Sequence, residues 1–147
     1  MLKTRKDFSS ELKKMSDQLS QLGTPTGYGC TEERFDELLG LARGLNETKP
    51  VRIVSKWMWL DIDYTEDPIT LKELIEKNLQ PSRLKIRFIN FDETEEVRGK
   101  TWFYSSYLVS LHKNALVETE DFFYILFGSG IRRCLTPEDV NMGMVQV

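Results

Sequence analysis

Apolar and polar positions along this chain fall into several distinct periods. Residues Val51 to Tyr64 read VRIVSKWMWLDIDY. Over the first two-thirds of this stretch, apolar residues occupy both alternating positions, which predicts a strand buried on both sides. It ends in two carboxylates, Asp61 and Asp63, which share a face. Arg83 to Phe91 alternates instead, with Leu84, Ile86 and Phe88 on one face and Arg83, Lys85 and Arg87 on the other. Thr101 to Leu111 predicts a further strand. Trp102, Tyr104 and Leu108 lie on one of its faces, and Phe103, Tyr107, Val109 and Leu111 on the other. Phe122 to Phe127 is wholly apolar and short, which fits a buried strand better than a helix.

Three segments carry the helical period. Over Lys6 to Leu22 the apolar residues are Phe8, Leu12, Met15, Leu19 and Leu22, with only polar positions between them. That is a narrow seam rather than the broad face of a core helix. Gly23 ends it, followed by the loop Thr24 to Gly29. A second helix is predicted after Thr31, a candidate cap, with Phe35, Leu38, Leu39, Leu41, Ala42 and Leu45 as a wider apolar face. In it, Gly40 and Gly44 sit one turn apart and offer room for another backbone, although the preferred expectation is that Gly44 merely ends the helix. A third helix follows Asp67 and Pro68, with Leu71, Leu74, Ile75 and Leu79 as its stripe and Pro81 at its end.

These elements predict an α+β fold. Two N-terminal helices precede a mainly antiparallel sheet of about four strands, with one helix packed on it. The Val51 and Arg83 strands, joined by the third helix, fit a right-handed parallel crossover. The chain of 147 residues suits one domain, with a helical portion over 1–46 and a mixed portion over 51–141.

Composition narrows the setting. Hydrophobic residues make up 40%, charged residues 29%, and the net charge is −3, which argues against a dedicated basic nucleic-acid binder but leaves room for a local patch. Residues Met1 to Lys14 are polar with no apolar core behind them, so no secretory signal is expected. No transmembrane segment is expected either, and the predicted setting is intracellular and cytoplasmic. Cys30 and Cys134 belong to no metal-spaced cluster and are expected to be free thiols.

Candidate chemistry is sparse. The single histidine, His112, has no nucleophile elbow to serve. Asp61, Asp63, Glu66 and Asp67 fail the EF-hand pattern, with Glu66 where glycine is required and Lys72 where a bidentate carboxylate is required. Gly128-Ser129-Gly130 lacks a following helix pattern and a Walker lysine, so a tight turn is expected rather than a phosphate cradle. No cofactor and no metal site are expected. The order of elements from Val51 onward parallels RNA-binding sheets. Arg98-Gly99-Lys100-Thr101-Trp102 does not match their aromatic signature, however, and His112 to Asp121 is short for their second helix.

The seam Phe8, Leu12, Met15, Leu19 and Leu22 points to a non-enzymatic protein–protein interaction or adaptor protein that self-associates as a homo-oligomer. The row Arg83, Lys85 and Arg87 supports a competing reading. It suits phosphates or an anionic surface, with Arg98, Lys100, Arg132 and Arg133 available and Trp102, Tyr104 and Tyr107 as stacking platforms. The chain would then be a peripheral structural (viral matrix-like) or nucleic-acid-associated accessory protein. A small metal-dependent hydrolase using Asp61 and Asp63 is the remote alternative.

Overall fold

A computed structural model describes residues 23–95 and 102–140. Among these residues, eight strands form one mixed sheet curled into a half-barrel, with one main helix and a smaller one. In order, the elements are β1 (Thr24–Pro25), a 3₁₀ turn (Glu32–Arg34), α1 (Phe35–Leu45), β2 (Val51–Ile62), α2 (Pro68–Glu76) and β3 (Ser82–Asp92). They continue with β4 (Phe103–Tyr104), β5 (Leu108–His112), β6 (Leu116–Thr119), β7 (Phe123–Leu126) and β8 (Ile131–Leu135).

The mostly-sheet architecture corrects the expected α+β layout of two N-terminal helices and about four strands. The short strands β1, β6 and β8 arise where no long alternating run marks them. The expected strand over Thr101 to Leu111 is broken into β4 and β5 by an irregular stretch over 105–107. The expected helix over Lys6 to Leu22, and with it the seam Phe8, Leu12, Met15, Leu19 and Leu22, lies outside the described residues.

β2 is the centre of the sheet. One edge pairs antiparallel with β3, from Arg52↔Asp92 to Asp61↔Ser82. The other edge pairs parallel with two strands in succession, β7 along Val51–Val54 and β8 along Met58–Ile62. This corrects two expectations: the sheet is mixed, and the β2–α2–β3 connection joins antiparallel neighbours instead of making a parallel crossover. Beyond β7 lie β6 and β5; beyond β8 lies β1.

The passage from β7 to β8 depends on close approach. A Cβ on Gly130 would lie 2.5 Å from the Trp57 ring, so the indole packs directly on the glycine backbone. Gly29 is similar: its φ is 113°, and a Cβ there would lie 2.0 Å from the Gly128 carbonyl oxygen. At the same level of β2, Lys56 adopts φ 52°, and Val54 and Trp57 face the same cluster although three residues apart.

Three clusters make the core. Inside the curl, Val54, Trp57, Trp59, Leu84, Ile86, Leu108, Val117, Tyr124 and Leu126 pack together. On the outer side, α1 lays Phe35, Leu38, Leu39 and Ala42 against Val51, Ile53, Phe123 and Ile125; the i, i+3, i+4, i+7 spacing gives one continuous stripe. At the end of the sheet, Leu74 and Leu79 join Ile62, Tyr64 and Val140. The expected face partner Phe88 stays 41% exposed, and Ile89 packs against the curl interior in its place.

The helix starts are set locally. Asp67 caps α2 by accepting from the Thr70 amide at 3.2 Å, with Pro68 in the first turn. Thr31 makes no such cap; its hydroxyl donates to Glu33. No backbone approaches Gly40 or Gly44, and the helix runs through Gly44 to Leu45. Cys30 is buried, Cys134 is exposed, and neither is disulfide-bonded.

Gly130→Ala is expected to cost about 2 kcal/mol in urea unfolding, as overpacking against Trp57. Gly40→Ala, whose added Cβ meets nothing within 4 Å, should gain up to about 1 kcal/mol from helix propensity. Equal midpoints for the two variants would contradict this picture of the β7–β8 passage.

Candidate functional site: a cation–aromatic strip

The strip is built from two adjacent backbones. On β3 the side chains of Arg83, Lys85 and Arg87 recur every second residue, about 6.7 Å apart, on the face away from buried Leu84 and Ile86. The segment 102–107 is strapped alongside. β4 pairs Lys85↔Tyr104 and Ile86↔Phe103. The Trp102 amide donates to the Arg87 carbonyl at 3.4 Å, and the Ser105 amide donates to the Leu84 carbonyl at 2.9 Å. The buried Ser105 hydroxyl accepts from the Leu84 amide at 2.8 Å, and Arg83 Nε donates to the Ser105 carbonyl at 2.7 Å.

This strapping interleaves cations and rings. Arg83 lies 5.5 Å from the Tyr107 ring centroid and 5.6 Å from that of Tyr104. Lys85 lies 5.7 Å from Tyr104 and 4.9 Å from Trp102. Arg87 lies 5.4 Å from Trp102 and 5.2 Å from Phe88. All fall within cation–π reach. The sequence places Tyr107 on the face opposite Trp102 and Tyr104. The break over 105–107 brings it round to join them. Trp102 itself has φ 57°, a conformation that costs a bulky residue roughly 1–3 kcal/mol.

Several arginines elsewhere are paired with carboxylates. Arg34, Arg43, Arg52 and Arg132 each pair with a carboxylate: Glu37, Glu93, Asp92 and Asp61. Lys85, Arg87 and Arg133 have no carboxylate within 4.0 Å among the described residues. Arg133 was one of several cations in the sequence reading. It reaches the strip because β8 pairs it opposite Leu60. Arg132, its neighbour, points to Asp61 and Trp59 instead. Arg98 and Lys100 lie outside the described residues. Beside the strip is a cleft of about 270 Å³, floored by Met58, Leu60 and Leu135 and edged by Lys85, Tyr104 and Arg133, with Asp139 at its rim. Burial pushes the Tyr104 hydroxyl up against the opposing pull of Arg83. Burial also raises Tyr64, with the hydrogen bond between its hydroxyl and that of Tyr107 adding to it. These tyrosines present neutral rings.

The other candidates are engaged elsewhere. Asp61 accepts from Trp59 Nε1 at 3.1 Å, from the Ser82 hydroxyl at 2.8 Å and from two nitrogens of Arg132. It therefore ties β2, β3 and β8 together. Asp63 is bonded by Thr65 and Asp67 by Thr70, which holds both carboxyls below the usual range. Among the described residues no group of three or more His, Cys, Asp or Glu side chains is arranged to hold a metal ion. β8, not a helix, follows Gly128 to Gly130. His112 Nε2 lies 2.8 Å from the Ser110 hydroxyl and 3.6 Å from Glu118. A catalytic triad needs the acid on the other ring nitrogen, so this geometry does not activate Ser110.

One buried charge had no counterpart in the sequence reading. Arg52 is 4% exposed inside the curl, 3.3 Å from Asp92, 3.2 Å from the Tyr124 hydroxyl and stacked 3.4 Å above the Phe122 ring. Burial pushes Tyr124 up to about 12 although Arg52 pulls the other way. The available signal was an arginine inside an otherwise apolar strand.

Glu118 gives a pH prediction. Burial would raise its carboxyl, but Lys49 at 2.7 Å, with His112 and Ser110, outweighs that and holds it low. A depressed folded pKa stabilises above the ordinary carboxylate value of about 4.3 and is lost as pH falls through the folded value. Glu118→Gln should therefore be less stable than the native chain by about 1 kcal/mol at neutral pH. The gap should close towards pH 3, read from urea midpoints across the range. A gap that widens on acidification would refute the assignment.

Among the described residues no helix is long and apolar enough to cross a membrane. Neither the curated proteins nor the solved structures contain a significant match to this chain. A family model does match, over residues 28–142, which takes in the strip, the cleft and the whole of β2 to β8. The chain belongs to that family, described as a domain of unknown function, DUF6957.

Proposed function

We propose that this protein is a binding module, an accessory factor that docks the phosphates of a nucleic acid on the outer face of β3 and β4. The observation that carries the reading is the alternation Tyr107, Arg83, Tyr104, Lys85, Trp102, Arg87, Phe88 along one strip. It includes Lys85 and Arg87, which have no carboxylate within 4.0 Å among the described residues, in a chain whose net charge is −3. Leaving them uncompensated keeps donors available to an external anion. Of the two main readings the sequence raised, self-association through the N-terminal seam rests on residues outside those described. The basic row has gained its aromatic neighbours and Arg133.

Phosphate docking releases counterions, so affinity falls steeply with salt. Replacing Arg83, Lys85 and Arg87 together by alanine should weaken binding to an oligonucleotide at least ten-fold. It should also flatten the log K against log salt slope by about 2, at about 0.7 per phosphate on a single strand. Fluorescence anisotropy across a salt series measures both. A triple variant with native affinity and native slope, and a native unfolding midpoint, would end this reading.

A further inference from the structure

Resting on the phosphate-docking reading, we infer that the nucleic acid bound here is single-stranded, with its bases stacked on Trp102 and Tyr104 and one base received by the cleft beside Tyr104. Three features carry this beyond charge. First, the cations repeat along an extended strand at about 6.7 Å, a spacing that a stretched single strand can follow phosphate by phosphate. A duplex wraps its phosphates around a cylinder and leaves the row after a short contact.

Second, the rings are in the wrong place for a purely electrostatic surface. Trp102 is held in a left-handed conformation and remains only partly buried, with Lys85 and Arg87 resting on it. Ring faces add little to a polyphosphate or a duplex exterior, whereas every unpaired base has a π-face to stack. Lys85, on a flexible four-carbon stem, can leave the ring for the adjacent phosphate as a base arrives.

Third, the cleft joins the strip at Tyr104 and Lys85. Its floor of Met58, Leu60 and Leu135 is apolar, and its edge carries Lys85 and Arg133 against the one carboxylate of Asp139. An apolar floor with cations at the lip accepts a flat heterocycle whose phosphate stays outside. Watson–Crick pairing keeps bases out of such a place, so the cleft serves only unpaired nucleotides.

The test uses the full chain and three probes of matched charge: a labelled single-stranded oligo(dT), a mixed-sequence duplex and inorganic polyphosphate. The single strand should bind at least ten-fold tighter than either of the others. Trp102→Ala should weaken oligo(dT) by about ten-fold per lost stack, leave polyphosphate affinity unchanged and leave the salt slope intact. Trp102→Phe should recover most of the loss. Oligo(dT) should quench tryptophan emission, and Trp102→Ala should abolish that quench, because the other two tryptophans, Trp57 and Trp59, are buried. Equal affinity for all three probes, with Trp102→Ala inert, overturns the single-strand inference and leaves phosphate docking standing. No binding to any polyanion overturns both. Tighter binding to vesicles containing phosphatidylserine than to any nucleic acid also overturns both. If Trp102→Ala fails to fold, the native chain's ranking of the three probes and the Trp102→Phe titration still decide the matter.

Discussion

Everything in this fold hangs on β2 being paired along both edges. Twelve residues of strand face β3 on one side and, on the other, two parallel strands that share the edge end to end. A buried strand must satisfy its amides and carbonyls continuously. Here that requires the chain to leave β7, turn and resume as β8 within four residues without losing contact with β2. Trp57 lying on Gly130 allows this, since the turn can press against the sheet only where it carries no side chain. The Phe127 amide still reaches the Val54 carbonyl at 2.8 Å, so the ladder is carried into the turn.

The surface strip follows from that arrangement. Because β8 lies beside the second half of β2, Arg133 comes level with Leu60 and close to Lys85. Because the curl brings 103–107 back over β3, aromatic residues that would otherwise face solvent alone sit between cations. The two faces of the sheet differ in character at this point. Asp61 neutralises Arg132 and joins three strands on the inner side. One residue further along β8, Arg133 has no carboxylate within 4.0 Å among the described residues and edges the cleft. A single step in the strand separates charge paired within the sheet from charge that is not.

Much of this was legible from side-chain period. β2, β3, β7, α1 and the Asp67 cap of α2 all lie where apolar spacing and turn residues put them. So did the basic row, since alternation alone fixes which side of a strand Arg83, Lys85 and Arg87 occupy. The short strands were not legible. Leu116 to Thr119 and Ile131 to Leu135 carry too few residues to establish a period, and the second of them pairs with Met58 to Ile62, far back along the chain. The turn before β6, with Lys113 at φ 52° and Asn114 at φ 59°, signals itself only through Asn114. Direction was equally hidden: nothing in the α2 segment distinguishes a parallel crossover from the antiparallel return that occurs. Tyr107 departs from simple alternation because 105–107 is irregular, which turns the side chains just beyond it, and a second irregularity between Leu108 and Ser110 brings Leu111 back to the face of Phe103.

The parallel edge of β2 has a consequence for the growing polypeptide. Its partners, Phe123 to Leu126 and Ile131 to Leu135, are made about seventy residues after Val51. β2 and β3 can associate early, but the opposite flank of β2, among the most apolar stretches of the chain, stays bare until Phe123 to Leu135 emerges from the ribosome. An open strand margin of this kind is a template for joining another chain. Translation therefore passes through an adhesive interval that closes only once Ile131 to Leu135 has been made, and a chain cut short before Phe123 would remain in it permanently.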